Sequence, residues 1–287
     1  MKKFFLFFIL ILLTLPAEAK IQYQCVAAPY PVGNRASSFI NTVTGANFIG
    51  RKTVEKIIES NLKKSLNADF DIKLTPFNTT DLVAGKFQSL TFSTKEVNLG
   101  GVYVHDFQGQ TQCGYNRIVF QKDQLPKIYE DFLVDFSARI TNNDLQKTMQ
   151  LEDFQKYIGG LNLRVGKFSM MKVENPKLSI IDNKLRYNFR LMAPVLLADF
   201  SQDISCDMRL TVRHGKLAFS SVKINNKVAL APEIIAKMVN RINPFKINLE
   251  KALGIPSYLD IDGVKIVKNE IFLNGTFIAP KNVTKED

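Results

Sequence analysis

The chain contains only two histidines, and each is a candidate general base or metal ligand. His105 is followed by Asp106 near the end of a predicted strand, where a carboxylate could orient the imidazole as a base. His214 lies in an Arg-His-Gly-Lys sequence that is typical of a turn. A strand histidine is more often exposed or hydrogen-bonded than catalytic, so we favour a structural role for both.

Motifs that support nucleophilic or metal catalysis are missing from the sequence. There is no Gly-x-Ser-x-Gly elbow, no Gly-rich phosphate loop, and no His/Cys spacing that would hold zinc. Glu152 and Asp153 form an acidic pair that we expect to face solvent. A hydrolase of envelope lipids or glycans would need a nucleophile or a carboxylate pair that we do not find. The sequence therefore predicts a protein that is not an enzyme, with no metal site and no cofactor.

Three cysteines remain as chemically distinctive residues. Cys25 and Cys113 both lie among polar residues near predicted strand or loop ends, and we predict a disulfide between them. Cys206 shares a strand face with Ile204 and Met208, which predicts a buried free thiol. A disulfide requires an oxidising compartment.

The N-terminus predicts export. Lys2 and Lys3 precede the apolar run 4–15, and Ala17-Glu18-Ala19 supplies small residues at the spacing of a signal-peptidase site. We expect a signal peptide over residues 1–19. The apolar run of about a dozen residues is short for a bilayer core of ~30 Å, although an uncleaved anchor is the alternative. The expected location is periplasmic or extracellular, either free or peripheral to the membrane.

A basic charge accompanies the predicted export. The formal net charge is +11 for the whole chain. A basic exported protein meets anionic lipid headgroups and envelope polymers rather than nucleic acid, so we expect an anionic membrane surface as a partner and no nucleic acid. Because Lys and Arg are spread along the whole sequence, the charge alone is weak evidence.

Amphipathic elements would have to position any site. Residues 51–66 show a helical stripe, and residues 81–113 alternate apolar and polar positions as strands with one buried face do. The stripe of the helix comprises Val54, Ile57, Ile58, Leu62 and Leu66. The apolar positions of the strands include Leu90, Phe92, Val97, Leu99, Val102 and Val104. An apolar layer is therefore expected between this helix and these strands.

The rest of the chain continues the same mixture of elements. Strands are predicted at 70–74, 117–120 and 132–140, and a helix at 144–158 capped by Asn142 or Asn143. A meander begins at Leu161, with hairpins at Asp182-Asn183 and His214-Gly215, and Pro232 begins a further helix. Alternating strands end the chain at 259–277. Two similar halves are possible, although their residue identity is poor.

Several of these stretches resemble a known family. They are Leu-Val-Ala-Gly-Lys-Phe at 82–87, the strand pair at 90–107, Ile-Thr-Asn-Asn-Asp-Leu at 140–145 and the strands at 261–277. Together they resemble the LmeA-like family of bacterial periplasmic phospholipid-binding proteins over roughly residues 54–279. The resemblance implies a tubular lipid-binding fold and no catalytic residues. Residues 180–228 depart from the compactness that the family pattern leads us to expect.

The expected fold class is α+β, a strongly curved and mainly antiparallel sheet wrapped around long amphipathic helices in a tubular, lipid-binding-like arrangement. The expected divisions are the signal peptide at 1–19, an extended arm at 20–50 with a short helix at 37–42, one domain at 51–280 and a disordered tail at 281–287.

Two functions remain open from the sequence. The first is a non-enzymatic protein that binds phospholipid or another acyl lipid in an apolar groove, with lipid transfer or envelope maintenance as its role. Its acyl chains would contact Val54, Ile57, Ile58, Leu62, Leu90, Phe92, Val102 and Val104. Its phosphate headgroup would be attracted by Arg51, Lys52, Lys63 and Lys64. The alternative is an envelope scaffold or protein-interaction module with a solid core, because a lipid-lining stripe and a core stripe look alike in sequence.

Overall fold

The computed structural model describes residues 23–28, 46–120, 124–161, 163–165, 168–195, 198–228 and 230–283. Within these ranges the helices are α1 Ala46–Leu66, α2 Thr79–Val83, α3 Asn142–Gln150, α4 Glu152–Gly159, α5 Pro232–Arg241 and α6 Leu249–Leu253. The strands are β1 Asp71–Pro76, β2 Lys86–Asn98, β3 Tyr103–Thr111, β4 Asn116–Val119, β5 Lys127–Ile128, β6 Phe132–Ile140, β7 Leu163–Val165, β8 Phe168–Ile181, β9 Lys184–Val195, β10 Ala198–Arg213, β11 Lys216–Ile224, β12 Tyr258–Val267 and β13 Glu270–Ala279. The predicted signal peptide and the predicted helix at 37–42 lie outside the described residues.

The first sheet is antiparallel and contains eight strands. Its main order is β12-β13-β6-β3-β2, with β1 also pairing with β2 and the short strands β4 and β5 continuing from the start of β2. The C-terminal hairpin β12–β13 joins this sheet because β13 pairs with β6 along its length, with Gly275 opposite Phe136. The end of the chain therefore completes a sheet that begins at residue 71.

The second sheet is a five-stranded antiparallel meander in the order β11-β10-β9-β8-β7. Its inward positions alternate along the strands as the sequence pattern predicts, and Leu178, Leu185, Tyr187, Leu191 and Phe219 are almost completely buried. The opposite face carries cross-strand ion pairs, of which Arg186–Asp207 is one at 2.8 Å. One face of this sheet is core and the other is solvated.

Tight turns with two central residues at positive φ close three of the hairpins. This backbone geometry matches the twist of paired strands and favours Asn, Asp and Gly. The turns are Asp182-Asn183, His214-Gly215 and Lys268-Asn269. The first two are hairpins that the sequence predicted, and the structure confirms them.

These turns also hold the two sheets together. The Asn183 N–H donates to Oδ1 of Asn269, and the Asn269 N–H donates to Oδ1 of Asn183, both at 3.0 Å. The Ile261 N–H donates to the carbonyl of Gly215 at 3.0 Å. These two hairpin turns of the second sheet therefore contact the C-terminal hairpin of the first, and both sheets contribute buried residues to one large core.

The predicted fold class is wrong. The described chain consists mainly of two antiparallel sheets with short helices, and the sheets are not strongly curled around long amphipathic helices. In the longest helix, α1, only Glu55, Ile58 and Leu66 are buried among residues 50–66. The alternation of apolar residues reports that a strand has one buried face, but it carries no information about the curvature of the sheet.

The predicted helix at 144–158 is two helices. The chain is extended at Leu151, with φ −57° and ψ 134°, so α3 ends at Gln150 and α4 begins at Glu152. The cap of α3 is Thr141 rather than Asn142 or Asn143. Pro232 begins α5 at the first helical position, as predicted.

Candidate functional site

The face of the first sheet that points away from the core carries two rows of polar side chains. Paired residues in an antiparallel sheet project to the same side, so each row follows the strand register. The first row is Lys73, Thr91, Gln110 and Asp135, and the second is Asp71, Ser93, Gln108 and Ser137. We call this surface the outer face.

Two neighbouring depressions follow these rows across the strands. One, of about 540 Å³, lies between the two rows. The other, of about 930 Å³, extends from the second row to Glu96 and Asp106 further along β2 and β3, and to Glu59 of α1 and residues 67–70 before β1. Asp71, Ser93 and Gln108 border both depressions. Both depressions therefore have mixed linings, in which polar side chains alternate with apolar groups.

Aromatic packing lies beneath this surface. The ring of Phe92 lies against Gly109, where an added Cβ would come within 2.6 Å of the ring. Ring centroids are 6.1 Å apart for Phe70–Phe92, 5.2 Å for Phe92–Phe107 and 5.9 Å for Phe107–Phe136. These distances suit edge or tilted aromatic contacts. The four rings also line the depressions, Phe92 and Phe136 in the smaller one and Phe70 and Phe107 in the larger one.

A cluster of titratable groups lies at one end of the outer face. Glu96 on β2 is directly opposite His105 on β3, and α3 brings Asp144 to the same place. Nδ1 of His105 is 3.3 Å from Oδ1 of Asp144 and 4.0 Å from Oε2 of Glu96. One ligand atom from each residue lies within 4.8 Å of the other two. We call these three residues the His105 cluster.

The capping of α3 fixes the orientation of Asp144. This side chain is completely buried, and its Oδ2 accepts from the backbone N–H of Thr141 at 2.8 Å and from its hydroxyl at 2.6 Å. The reciprocal bond from the Asp144 N–H to the Thr141 hydroxyl completes a capping box. Oδ1 is thereby turned towards His105.

Basic side chains surround the cluster. Nζ of Lys147 contacts both carboxylate oxygens of Glu96, at 2.7 and 2.6 Å, and this hydrogen bond raises the pKa of Lys147. Arg139 pairs with Asp106 at 2.6 Å and with Glu270 at 2.9 Å. The hydrogen bond to Glu270 is the main reason that the pKa of Arg139 is raised. These pairs keep the carboxylates near the cluster in a positive environment.

The carboxylate beside His105 is not the one that the sequence suggested. Asp106 has φ +45° and lies where the register of β3 against β6 shifts, so its side chain pairs with Arg139 instead. The partner of His105 is Asp144, which is 39 residues away along the chain. The sequence signal for it was the Thr141-x-x-Asp144 spacing of a capping box, which explains why this carboxylate is buried and oriented.

A disulfide fixes the N-terminal segment at the other end of the outer face. Cys25 and Cys113 are bonded, as predicted, and Cys113 packs with Leu133, Ile278 and Tyr23 in a small separate apolar cluster. Leu133 is on the same face of β6 as Asp135. Residues 23–28 therefore border the outer face on the side opposite the His105 cluster.

The residues predicted to contact acyl chains lie in or against the core. Ile58, Leu90, Val102 and Val104 are at most 4% exposed. The remaining four, Val54, Ile57, Leu62 and Phe92, are half-buried, and all of them except Ile57 pack against that core. The structure thus brings the predicted helix and strand stripes together around packed side chains. That they contact lipid stays a prediction.

The residues predicted to attract a headgroup all belong to α1, but two of them serve a structural contact. Arg51 and Lys52 lie near the buried carboxylate of Glu55, at 3.7 and 2.8 Å. Oε1 of Glu55 accepts from the N–H of Leu74 on the edge strand β1 at 3.0 Å. Lys63 pairs with Asp69 at 2.6 Å.

The remaining cysteine is buried and unreactive near neutral pH. Cys206 is the free thiol among the described residues, as predicted, and burial raises the pKa of this thiol to about 12. Beside it, the hydroxyl of Tyr187 donates to the carbonyl of Ile242 at 2.9 Å, and burial raises the pKa of Tyr187 as well. Neither group is available as a nucleophile near neutral pH.

No family model, curated protein or solved structure matches the chain. Among the described helices, none combines the length and apolar character needed to cross a bilayer. The proposals below therefore depend on the geometry and the sequence alone.

Proposed function

We propose that the protein is an exported, non-enzymatic interaction module of the cell envelope, and that its binding surface is the outer face of the first sheet. One observation carries this proposal. Most of the apolar residues that were expected to line a lipid slot pack in or against the core, whereas the outer face carries two adjoining depressions lined by both polar side chains and phenylalanine rings. The predicted signal peptide and the Cys25–Cys113 disulfide support export.

The smaller depression suits an extended segment of a partner protein. It crosses β1, β2, β3 and β6, and three interstrand spacings give a length of about 14 Å. That length accommodates about four residues of extended peptide. Its walls present hydroxyl, amide and carboxylate groups that can bond to a peptide backbone. Ser93 and Gln108 would contact a ligand in either depression, because they border both.

The test introduces a long side chain on the outer face and, as a matched control, makes the same substitution on the other sheet. Ser93→Arg places a long side chain between the two depressions. Ser201→Arg makes the same change at an exposed serine on β10 of the other sheet. Mature protein carrying either change is cross-linked in envelope extract, and the cross-linked species are compared with those of the unchanged protein.

We expect one stoichiometric protein partner that Ser93→Arg abolishes and Ser201→Arg retains. Both variants should unfold at the same denaturant concentration as the unchanged protein, since both positions are exposed. A partner that binds both variants equally would contradict the outer face as the binding surface. The same is true if mass spectrometry of the native protein finds lipid and no partner protein.

Binding of acyl lipid or an anionic membrane surface is the second candidate, and α1 supplies the observation that favours it. Val54, Ile57 and Leu62 are only half-buried on this helix, and Lys63 and Lys64 near its end are exposed. Half-buried aliphatic residues beside exposed lysines suit a surface of anionic headgroups. The resemblance to the LmeA-like family also supports this candidate.

Flotation with vesicles decides this second candidate. The mature protein should bind vesicles that contain phosphatidylglycerol, and Lys63→Glu with Lys64→Glu should weaken that binding severalfold. The matched control is Lys216→Glu with Lys223→Glu on β11 of the second sheet. Equal loss in both double variants would show a response to net charge, and absence of binding by the unchanged protein would exclude the candidate.

A further inference from the structure

We propose that Glu96, His105 and Asp144 form a binding site for one divalent transition-metal ion, with zinc as the best fit. The sequence led us to expect no metal because no short spacing of ligands occurs along the chain. The fold instead collects these residues from β2, β3 and α3. This inference is independent of the proposed interaction surface.

The distances suit a small cation. Zinc binds nitrogen and oxygen ligands at about 2.0–2.2 Å, so ligand atoms in a tetrahedral site lie about 3.3–3.6 Å apart. Nδ1 of His105 and Oδ1 of Asp144 are already 3.3 Å apart. Oε2 of Glu96 is 4.0 Å from Nδ1, and the ligand atoms of all three residues lie within 4.8 Å of one another, so the Glu96 carboxylate would move inwards when an ion binds. One imidazole and two carboxylates favour zinc or manganese over the oxygen-preferring calcium and magnesium.

The buried Asp144 carboxylate is the independent observation that points to a cation. Its side chain has no exposed surface, and its Oδ2 already takes both Thr141 donors. Oδ1 instead faces the His105 nitrogen, and the Glu96 carboxylate faces that nitrogen too. Without an ion, His105 is the contact of Oδ1 and Lys147 neutralises Glu96; a divalent ion that displaces Lys147 would be bound by all three groups. The Thr141 bonds would also hold Asp144 as outer contacts hold metal ligands.

Lys147 competes with the ion for Glu96. Its ammonium lies 2.6–2.7 Å from both Glu96 oxygens, so the site already accommodates a positive charge. Lys147 is part-exposed and can swing into solvent when the ion binds. This competition gives a prediction that a purely structural ion-pair network does not make, because removing Lys147 should improve metal binding.

The test uses metal-free mature protein titrated with zinc chloride by calorimetry and by nitrogen NMR of the imidazoles. Only two histidines exist, so each signal can be assigned with one variant. We expect one equivalent of zinc to bind and to shift the signals of His105 alone.

Variants distinguish the metal site from a structural cluster. His105→Gln should lower the zinc affinity by roughly a hundredfold, and His214→Gln, the matched control, should leave it unchanged. Lys147→Gln should raise the affinity by roughly tenfold, because it removes a nearby like charge. Any of three results would overturn the proposal. They are a zinc affinity of His105→Gln equal to that of the unchanged protein, an unchanged or lower zinc affinity of Lys147→Gln, and no zinc binding by the unchanged protein. If a variant does not fold, the His105 and His214 signals of the unchanged protein decide.

Discussion

Loss of the Cys25–Cys113 disulfide should lower the free energy of unfolding by several kcal/mol. The two cysteines are 88 residues apart, and the chain-entropy relation for a closed loop of that length gives about 4.6 kcal/mol at 25 °C. Removing a native disulfide from a small secreted domain typically lowers the free energy of unfolding by about 2–5 kcal/mol. The buried contacts of Cys113 with Leu133 and Ile278 place our expectation in the upper half of that range.

The assay is urea unfolding followed by far-ultraviolet circular dichroism, with and without a phosphine reductant. Reductant should shift the unfolding midpoint of the unchanged protein down. The double variant Cys25→Ser with Cys113→Ser should unfold at the reduced midpoint whether or not reductant is present. Cys206→Ala is the matched control and should keep the full response to reductant, because that thiol takes no part in the bond.

Two results would refute this reasoning. If the double variant unfolds within about 0.5 kcal/mol of the oxidised protein, the bond does not constrain the unfolded chain as the loop argument requires. If oxidised protein, once unfolded, gives three reactive thiols instead of one, the bond does not form in solution. The second result would also remove the main support for an oxidising compartment.

Two further outcomes follow from the backbone and the core. Gly100→Ala should lower the free energy of unfolding in urea by about 2–4 kcal/mol, because Gly100 has φ +57° and its added Cβ would lie 2.1 Å from the carbonyl oxygen of Asn248. The control is Gly114→Ala, which should be near neutral because its added Cβ meets no atom within 4 Å. Equal losses of stability in the two variants would contradict the steric argument. Burial raises the pKa of the Cys206 thiol to about 12 from an ordinary 9.0, so the stability gained by keeping it protonated is complete below about pH 9 and is lost as the pH rises towards 12. Iodoacetamide should therefore leave Cys206 unmodified in folded protein at pH 8.5, and alkylation at the rate of a free cysteine would show that the thiol is accessible.

Local sequence signals predicted local structure well. The Asp182-Asn183 and His214-Gly215 pairs specify their turns because few residues accept positive φ, and Pro232 suits the first position of a helix. The pairing of Cys25 with Cys113 and the burial of Cys206 were also predicted. Each of these features depends on a few neighbouring residues or on the number of cysteines.

The arrangement of the sheets could not be predicted in the same way. Strand β6 lies between β3 and β13, and its pairing with β13 joins residues more than a hundred positions apart. Any strand with one apolar face satisfies the alternation rule, so the sequence pattern does not select among partners. The expected curvature came from the family resemblance rather than from a residue that bends a sheet. That is why the elements were predicted better than their assembly.

The His105 cluster shows why the candidate site was harder to find than the elements around it. The shift of register at Asp106 turns one carboxylate towards Arg139, and the cap of α3 brings another, Asp144, to the imidazole. Neither change alters the pattern of apolar residues, so neither is visible in hydrophobic periodicity. The Thr-x-x-Asp spacing of a capping box is, however, visible in the sequence, and it indicates which carboxylate is buried and oriented.

Under the proposed function, the division of the first sheet into two faces separates residues that stabilise the fold from residues that bind a partner. Its inward residues, such as Ile72 and Phe136, pack in the core, so changes there should act through unfolding. Its outward residues, such as Ser93 and Gln108, make few contacts that folding requires, so changes there can alter binding while the fold persists. A lipid slot would have made the same apolar residues serve both purposes. The outer face is therefore the surface where loss of function and loss of stability can be measured independently.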